Sequence, residues 1–445
     1  MIRYLKALSE EVDCASRLST MTDSEAKEYG ALNPTSARTE AGYATAIKVF
    51  QTFAERQKYP NIMNFTETFV FGDPPNPDDP PIRKVLAEFC TFLLGKHNRN
   101  DTYFKPDTQR QYFSGIKTVL VRRYPKLGQS PDWYEDLVGA LKMRGRAEAI
   151  RRGDPISEKT IGISRSTLKA MCVHLMKQNT PTAYESRCVL SSLFHATGRG
   201  GEVSTSTWDS AYWDLDGDML IFDWRETKKA EESVMTFHPD ASSFHLDQFH
   251  TLACYLLAGQ GRYDAAAALI PGGTNWIFPA YVNMADGGAA AKVTRVVHQC
   301  LKDKVLGLTE DMSGHGIRVS SADTMVFNTS VHIVDAICRG NWDFRGDCMI
   351  FHYLTKKLHV ARAGKALAGW RNCEMSVSAP TLDAFKTSAN ALCLKQFCVE
   401  LFVGVLVPEL HTTLKPLRDV MVATLLMYRE DVRNEVGEQD IIMLL

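Results

Sequence analysis

Apolar residues recur at helical spacing through the first third of the chain. Tyr43, Ile47, Phe50 and Ala54 follow each other every three or four residues after Ser36, which can cap a helix. The segments 82–98, 106–125 and 130–152 repeat this pattern, while the proline-rich stretch 71–81 is typical of a loop. The pattern predicts an irregular N-terminal arm over 1–35, a four-helix domain over 36–152 and a linker over 153–163.

The pattern changes in the second part of the chain. Two helical segments, 164–176 and 183–198, are followed by two short apolar-rich stretches, 218–229 and 232–240, that predict a β-hairpin around a charged turn. Helical periodicity then returns up to the "VHIVDAICRG" segment. We therefore expect a mainly α domain with a small β-sheet, an α+β fold, over 164–373. Residues 374–445 predict a C-terminal helical extension, which either packs on this domain or links protomers.

Composition narrows the class of protein. The chain is 45% hydrophobic and 23% charged, as in ordinary globular proteins. It contains no run of 18 apolar residues, and its first residues lack the apolar core of a secretory signal. Its eleven cysteines are scattered without a CxxC pair, which argues against both a disulfide framework and a zinc site. We expect an intracellular protein without a membrane span or a metal.

The charge is balanced overall but not locally. The net charge is -1, whereas residues 101–153 carry eleven Lys or Arg against six Asp or Glu. A basic segment in a neutral protein is compatible with phosphate binding, and equally with a solvated helix face.

Several polar side chains stand in contexts that suit phosphate chemistry, although each alone is a weak signal. Glycines surround the first of them, in "GRGGEV", and would let another molecule approach closely. The H-x-x-R pair in "SGHGIR" would also occur by chance. Taken in chain order, the candidates are Arg199, Lys228 or Lys229, His315, Arg318, Trp342 and Tyr353.

Together these groups could surround one phosphodiester. Two arginines can hold the non-bridging oxygens and neutralise charge in a pentacoordinate transition state. A lysine can protonate the departing 5′ oxygen, and a tyrosine hydroxyl can attack phosphorus to give a 3′-phosphotyrosyl link. That link conserves the bond energy, so neither ATP nor a metal is needed, and we expect no cofactor.

This ordered set resembles the tyrosine recombinase (phage integrase) family. Arg199, Glu202 and Val203 match its R-x-x-E-apolar box, and His315 with Arg318 matches its H-x-x-R box. The spacing of "GRGGEV" and "W-x-E-x-K" is most similar to the Crypton-type recombinases of eukaryotic DNA transposons, in which Lys228 would be the hairpin lysine and Lys229 its rival. The resemblance spans about residues 36–370.

The resemblance implies a role for each matched residue. Catalysis would involve Arg199, Lys228, His315, Arg318 and Trp342 around the nucleophile Tyr353, with Glu202 orienting the arginine or its helix. The sequence departs from the family where no second His follows the H-x-x-R box and where the Trp-to-Tyr spacing is slightly long. The second departure weakens the assignment of Tyr353.

The implied partner is double-stranded DNA, held in a C-shaped clamp by the 36–152 helices and the catalytic domain. A homo-oligomer, a tetramer in the synaptic complex, and a nuclear location also follow from the resemblance. Alternatives are a catalytically silent DNA-binding protein derived from a recombinase and an enzyme similar to type IB topoisomerases. The predicted DNA contacts of the first domain are Gln109, Arg110, Gln111, Lys117, Arg122, Arg123, Lys142, Arg144 and Arg146.

Overall fold

The chain divides into two compact units at residues 159 and 160. A computed structural model describes residues 37–76, 78–98, 101–128, 132–154, 160–204, 206–224, 233–259, 275–282, 288–342, 356–387, 390–401 and 414–438. None of the helices formed by these residues is both long and apolar enough to cross a membrane.

The described part of the first unit is helical. Its four long helices lie in the segments where the sequence predicts them. Between the first two, Asn61 caps a short 3-10 helix and Thr66 caps a short α-helix that the sequence did not predict. The helices are α1 (Ala37–Gln57), α2 (Glu67–Phe71), α3 (Ile82–Leu94), α4 (Pro106–Arg123) and α5 (Asp132–Arg152).

Aromatic side chains form the core of the first unit. Phe50 and Phe53 of α1 meet Phe89 of α3, with ring centroids 5.0 and 5.4 Å apart, and Phe50 also packs edge-on against Phe65. All four rings are buried. Such pairs add to the large apolar area that each ring buries, so these rings hold α1 and α3 together.

The second unit is mainly helical with one small sheet, as the sequence predicts. Helix α7 lies at its centre: every residue from Ala183 to Ala196 is buried, the pattern of a helix surrounded by other elements. The helices are α6 (Arg165–Lys177), α7 (Pro181–Ala196), α8 (Gly200–Ser204), α9 (Gln248–Leu257), α10 (Gly288–Lys302), α11 (His315–Val326), α12 (Ile333–Gly340), α13 (Lys356–Leu367), α14 (Ala391–Leu401), α15 (Lys415–Met427) and α16 (Arg429–Val436).

The sheet has three antiparallel strands in the order β1-β2-β3. The predicted hairpin corresponds to β2 (Met219–Trp224) and β3 (Ser233–Phe237), with Trp224 opposite Ser233. The sequence did not predict β1 (Ala211–Asp214), which pairs with β2. Its four residues are too few to give a period-two signal, and pairing with β2 rather than local preference makes them a strand.

Part of the C-terminal extension belongs to the core of the second unit. Leu417, Met421 and Val422 of α15 are fully buried in the same apolar cluster as α7 and α9. Helix α15 therefore packs on this domain. A protomer-linking role would depend on the apolar stretch 392–410. Its first part, 392–401, belongs to α14, and its second part, 402–410, lies outside the described residues.

Candidate functional site

Arg199 lies in the tight connection between α7 and α8. The sequence predicted that α7 continues to Gly198, but it ends at Ala196 because Thr197 adopts a left-handed conformation with φ 51°. Glu202, in the first turn of α8, accepts a hydrogen bond of 2.8 Å from the backbone N–H of Arg199. A carboxylate at this position satisfies a free N–H at a helix start.

Glu202 also binds the side chain of Arg199. Its Oε1 accepts a hydrogen bond from the Arg199 guanidinium, and the carboxylate is only 7% exposed, compared with 33% for the arginine side chain. Glu202 thus contacts Arg199 at both its backbone N–H and its side chain, and its orienting role stays a prediction.

The guanidinium of Arg318 lies on the other side of Glu202. It is 3.7 Å from Glu202 Oε2, although the two arginines are far apart in sequence. Arg318 donates hydrogen bonds to the carbonyls of Thr197, at 2.6 Å, and Gly340, at 2.5 Å. These two carbonyls lie at the ends of α7 and α12, so the backbone of two helices fixes the position of Arg318.

Trp342 packs against Arg318. The guanidinium carbon lies 5.4 Å from the ring centroid, within the range of a cation–π contact. Asn341, in a left-handed conformation with φ 46°, ends α12 and directs the chain so that the half-buried indole meets the core of the unit. The structure therefore brings together the tryptophan and the arginine that the sequence placed in separate boxes.

His315 begins α11, one turn before Arg318, and is exposed. Partial burial of its imidazole lowers the pKa of His315, and the positive charges of Arg318 and Arg199 lower it further. The imidazole is therefore neutral at pH 7, so that it can donate or accept a hydrogen bond.

The described groups around Glu202 carry a net positive charge at neutral pH. Burial and the nearby Arg199 lower the pKa of Arg318 to about 10, so that it stays protonated at pH 7. Two guanidiniums share the single carboxylate of Glu202, which leaves one positive charge uncompensated within this group. A partly buried position of this kind favours an anion that accepts several hydrogen bonds, such as a phosphodiester.

The glycines beside Arg199 serve different purposes. A Cβ on Gly200 would lie 2.9 Å from the Cα of Ala290, so α8 needs a glycine there to pack against α10. A Cβ on Gly201 would meet nothing within 4 Å. Contact within the fold explains Gly200, whereas the surface at Gly201 is open to another molecule.

Three predicted site residues cannot be placed. Lys228 and Lys229 lie in the segment 225–232 between β2 and β3, and Tyr353 lies in the segment 343–355 between Trp342 and α13; both segments are outside the described residues. Their roles stay predictions.

Gln109 does not fit the predicted role in DNA contact. Its side chain is buried, its Nε2 donates to the carbonyl of Phe104 at 2.8 Å, and Gly145 of α5 packs against its Oε1. The sequence places it beside exposed Arg110 and Gln111, but a helix turns successive residues by about 100°, so that neighbours face different sides.

Three of the other predicted DNA contacts have side chains that interact with residues of the first unit. The ammonium of Lys117 lies 3.8 Å from the ring centroid of Tyr134. Arg122 donates a hydrogen bond to the carboxylate of Glu40, and Arg123 donates one to the carbonyl of Met63. The remaining side chains are exposed, namely Arg110, Gln111, Lys142, Arg144 and Arg146.

A groove of about 830 Å³, lined by both polar and apolar groups, runs between α1 and α4. Thr and Ser hydroxyls line it beside Arg110 and Gln111, and Gly115 allows α4 to approach α1 closely, since a Cβ there would lie 2.9 Å from the Cβ of Ala46. Within the described part of the first unit, this surface offers hydrogen-bonding groups at the predicted contact helix.

Comparison with known proteins finds similarity to solved structures and no matching family. No family model matches the sequence, and no curated protein matches it. Among solved structures, one described as a "Flpe-Holliday Junction Complex" is similar over 86% of this chain and 97% of its own, with 13% identity and a TM-score of 0.41. Because the TM-score is below 0.5, we draw no functional conclusion from this similarity.

Proposed function

We propose that this protein is a tyrosine recombinase that cleaves and rejoins DNA strands, most similar to the Crypton-type transposon recombinases. The observation that carries the proposal is the arrangement around Glu202. Arg199 and Arg318, from the two sequence boxes, meet at one carboxylate, with Trp342 against Arg318 and with His315 close enough for both arginines to affect its pKa.

The proposed reaction combines the groups at Glu202 with the nucleophile Tyr353 and a hairpin lysine, whose roles come from the sequence. Arg199 and Arg318 bind the non-bridging oxygens of the scissile phosphate and stabilise the charge that develops on them. The hydroxyl of Tyr353 gives its proton to water or to the neutral imidazole of His315. Its oxygen attacks phosphorus and forms the P–O bond of a 3′-phosphotyrosyl link, while the P–O5′ bond breaks. Lys228, or its neighbour Lys229, gives the leaving 5′ oxygen its proton. The reverse attack by a 5′ hydroxyl rejoins the strand.

The remaining parts of the proposal concern the whole assembly. The 36–152 helices and the 164–373 domain would clamp duplex DNA, a homo-tetramer would form the synaptic complex with help from residues 374–445, and the protein would act in the nucleus. The open groove between α1 and α4, next to Arg110 and Gln111, supports DNA contact by the first unit. The tetramer and the nuclear location rest on the family resemblance alone.

A suicide-substrate assay tests the proposed reaction. The full chain is incubated with a library of randomised duplexes, each nicked so that the short strand released by cleavage diffuses away. Covalent protein–DNA complexes that survive denaturation are then counted and sequenced. We expect the wild type to form them, Tyr353→Phe to abolish them, and Arg199→Ala and Arg318→Ala each to reduce them about a hundredfold or more.

Tyr212→Phe is the matched control, because Tyr212 is an exposed tyrosine of the same unit on β1, and we expect it to retain wild-type activity. A covalent complex that persists in Tyr353→Phe would show that another tyrosine is the nucleophile. A wild type that binds duplex DNA but forms no complex would favour the DNA-binding protein. Relaxation of supercoiled plasmid without a preferred site would favour an enzyme similar to type IB topoisomerases.

A further inference from the structure

Arg339, in α12, is a fully buried arginine whose hydrogen bonds are all satisfied. Its Nε donates to the carbonyl of His195 at 3.0 Å, and one terminal nitrogen donates to Thr236 Oγ1 at 2.9 Å and the carbonyl of Val360 at 3.2 Å. The other terminal nitrogen donates to the carbonyls of His195 and Thr236. A guanidinium has five N–H groups, and these five bonds use them all.

The acceptors lie on three separate elements. His195 is in the last turn of α7, Thr236 is in β3, and Val360 is in α13. These elements pack closely, since a Cβ on Gly364 of α13 would lie only 2.8 Å from Thr236 Oγ1. One planar side chain thus joins α7, β3 and α13 to α12.

The same elements support the candidate site. The carbonyls of Thr197, just beyond α7, and Gly340, next to Arg339 in α12, both accept hydrogen bonds from Arg318. Trp342 lies two residues after the end of α12. A change in the distance between the ends of α7 and α12 would therefore move Arg318 and Trp342 together.

Arg339 has an unusual environment for a buried charge. Its acceptors are backbone carbonyls and one hydroxyl, and no carboxylate neutralises it among the partners that the structure describes. Burial lowers the pKa of Arg339 to about 9, so that it remains charged at pH 7. Holding an unpaired charge in the interior is costly, whereas an apolar side chain would fill the space without that cost.

We propose that Arg339 is a positioning residue, which fixes the ends of α7 and α12 relative to each other and thereby holds Arg318 and Trp342 in the geometry that binds the anion. The chemical consequence, faster cleavage of a phosphodiester, rests on the proposed function. The positional consequence does not, because Arg318 lies at Glu202 whatever the site binds.

The substitution Arg339→Lys tests this role. Lysine keeps the charge, but its ammonium is a point donor that cannot bridge three elements in a plane. Arg187→Lys is the matched control, since Arg187 of α7 is also fully buried. Arg187 donates a hydrogen bond to the carbonyl of Phe244 at 2.7 Å and contacts His250. Neither Phe244 nor His250 is a predicted catalytic residue.

Two readouts are measured at a temperature at which circular dichroism shows all variants folded. The first is the titration of the His315 imidazole by NMR, assigned by its loss in His315→Gln. Because Arg318 and Arg199 lower the pKa of His315, withdrawal of Arg318 should raise it. The second is the rate of covalent complex formation in a single turnover, together with the dissociation constant for DNA.

We expect Arg339→Lys to move the His315 titration to higher pH and to slow cleavage about tenfold or more, with a nearly unchanged dissociation constant. Arg187→Lys should alter neither readout. If Arg339→Lys does not fold, Thr236→Val replaces it, because valine keeps the shape of threonine but removes one acceptor of Arg339. We expect smaller changes in the same directions.

Three outcomes would overturn the inference: an unaltered His315 titration in folded Arg339→Lys, equal effects in Arg187→Lys, or a shifted titration with an unchanged cleavage rate. If the wild type forms no covalent complex while His315 shifts only in Arg339→Lys, the proposed function fails and the positioning role stands.

Discussion

At the scale of single residues, two buried arginines of the second unit differ in how many of their N–H groups the protein itself binds. All five N–H groups of the Arg339 guanidinium donate hydrogen bonds within the protein. Arg318 donates to two backbone carbonyls and lies 3.7 Å from the shared Glu202, beside a partly exposed Arg199. Arg318 is thus held in place while retaining donors for a bound anion.

The carboxylate between the two arginines should be important for stability. In Glu202→Gln, the side chain keeps its size and an acceptor for the Arg199 N–H but no longer neutralises the two guanidiniums. We expect the free energy of unfolding to fall by about 2 kcal/mol, measured by urea denaturation.

Glu430→Gln serves as the control, because Glu430 pairs with Arg433 on an exposed helix surface. A change of less than about 0.5 kcal/mol is expected there. Equal losses in the two variants would contradict the assignment of a special role to Glu202.

At the scale of elements, the site depends on how helix ends meet. Helix α7 ends at a left-handed threonine, α8 begins directly after Arg199, and α8 rests on α10 through Gly200. The direction of the Arg199 side chain is therefore set by the packing of α8 on α10.

Gly200→Ala should disturb this contact. The new methyl would lie 2.9 Å from the Cα of Ala290, a backbone atom that cannot move aside cheaply, so we expect a loss of about 1–3 kcal/mol in unfolding free energy.

Gly201→Ala places the same methyl one residue later in open space, and we expect its stability to equal or slightly exceed that of the wild type. Thermal or urea unfolding of both variants checks the prediction, and equal destabilisation at the two positions would refute it.

At the scale of the whole molecule, the two units differ in how many histidines they contain. Eleven of the twelve histidines belong to the second unit, whereas His97 alone belongs to the first. Burial lowers the pKa of His195 to about 4 and lowers the pKa values of His238, His245, His250 and His315.

We expect acid to destabilise the second unit first. Below about pH 6.5 the unfolded chain binds protons that these native histidines do not, so stability falls as the pH falls from 6.5 toward 4. Asp247, whose pKa burial raises to about 7, and Glu185 act in the opposite direction but are fewer.

Tryptophan fluorescence checks this, because six of the seven tryptophans lie in the second unit. The urea midpoint of the fluorescence transition should decrease between pH 7 and pH 5. The part of the circular dichroism signal that reports the first unit should change its midpoint less over the same pH range. A fluorescence midpoint that does not change with pH would disprove the prediction.

The sequence by itself determined most of the elements, though not the short strand β1. The spacing of Tyr43, Ile47, Phe50 and Ala54 gives α1, and the apolar runs of β2 and β3 give the hairpin, because helix and strand periodicities are local properties of the chain. The sequence also placed the candidate residues in order, since that order needs no coordinates.

Only the tertiary structure decided which groups meet. The convergence of Arg199 and Arg318 on Glu202, the burial of Gln109 under α5 and the role of Arg339 all depend on contacts between residues distant in the chain. Arg339 reads as an ordinary polar residue of a short helix, and nothing local distinguishes it from Arg144 on a solvated face. Burial and hydrogen-bond partners arise when elements pack, so periodicity alone cannot reveal them.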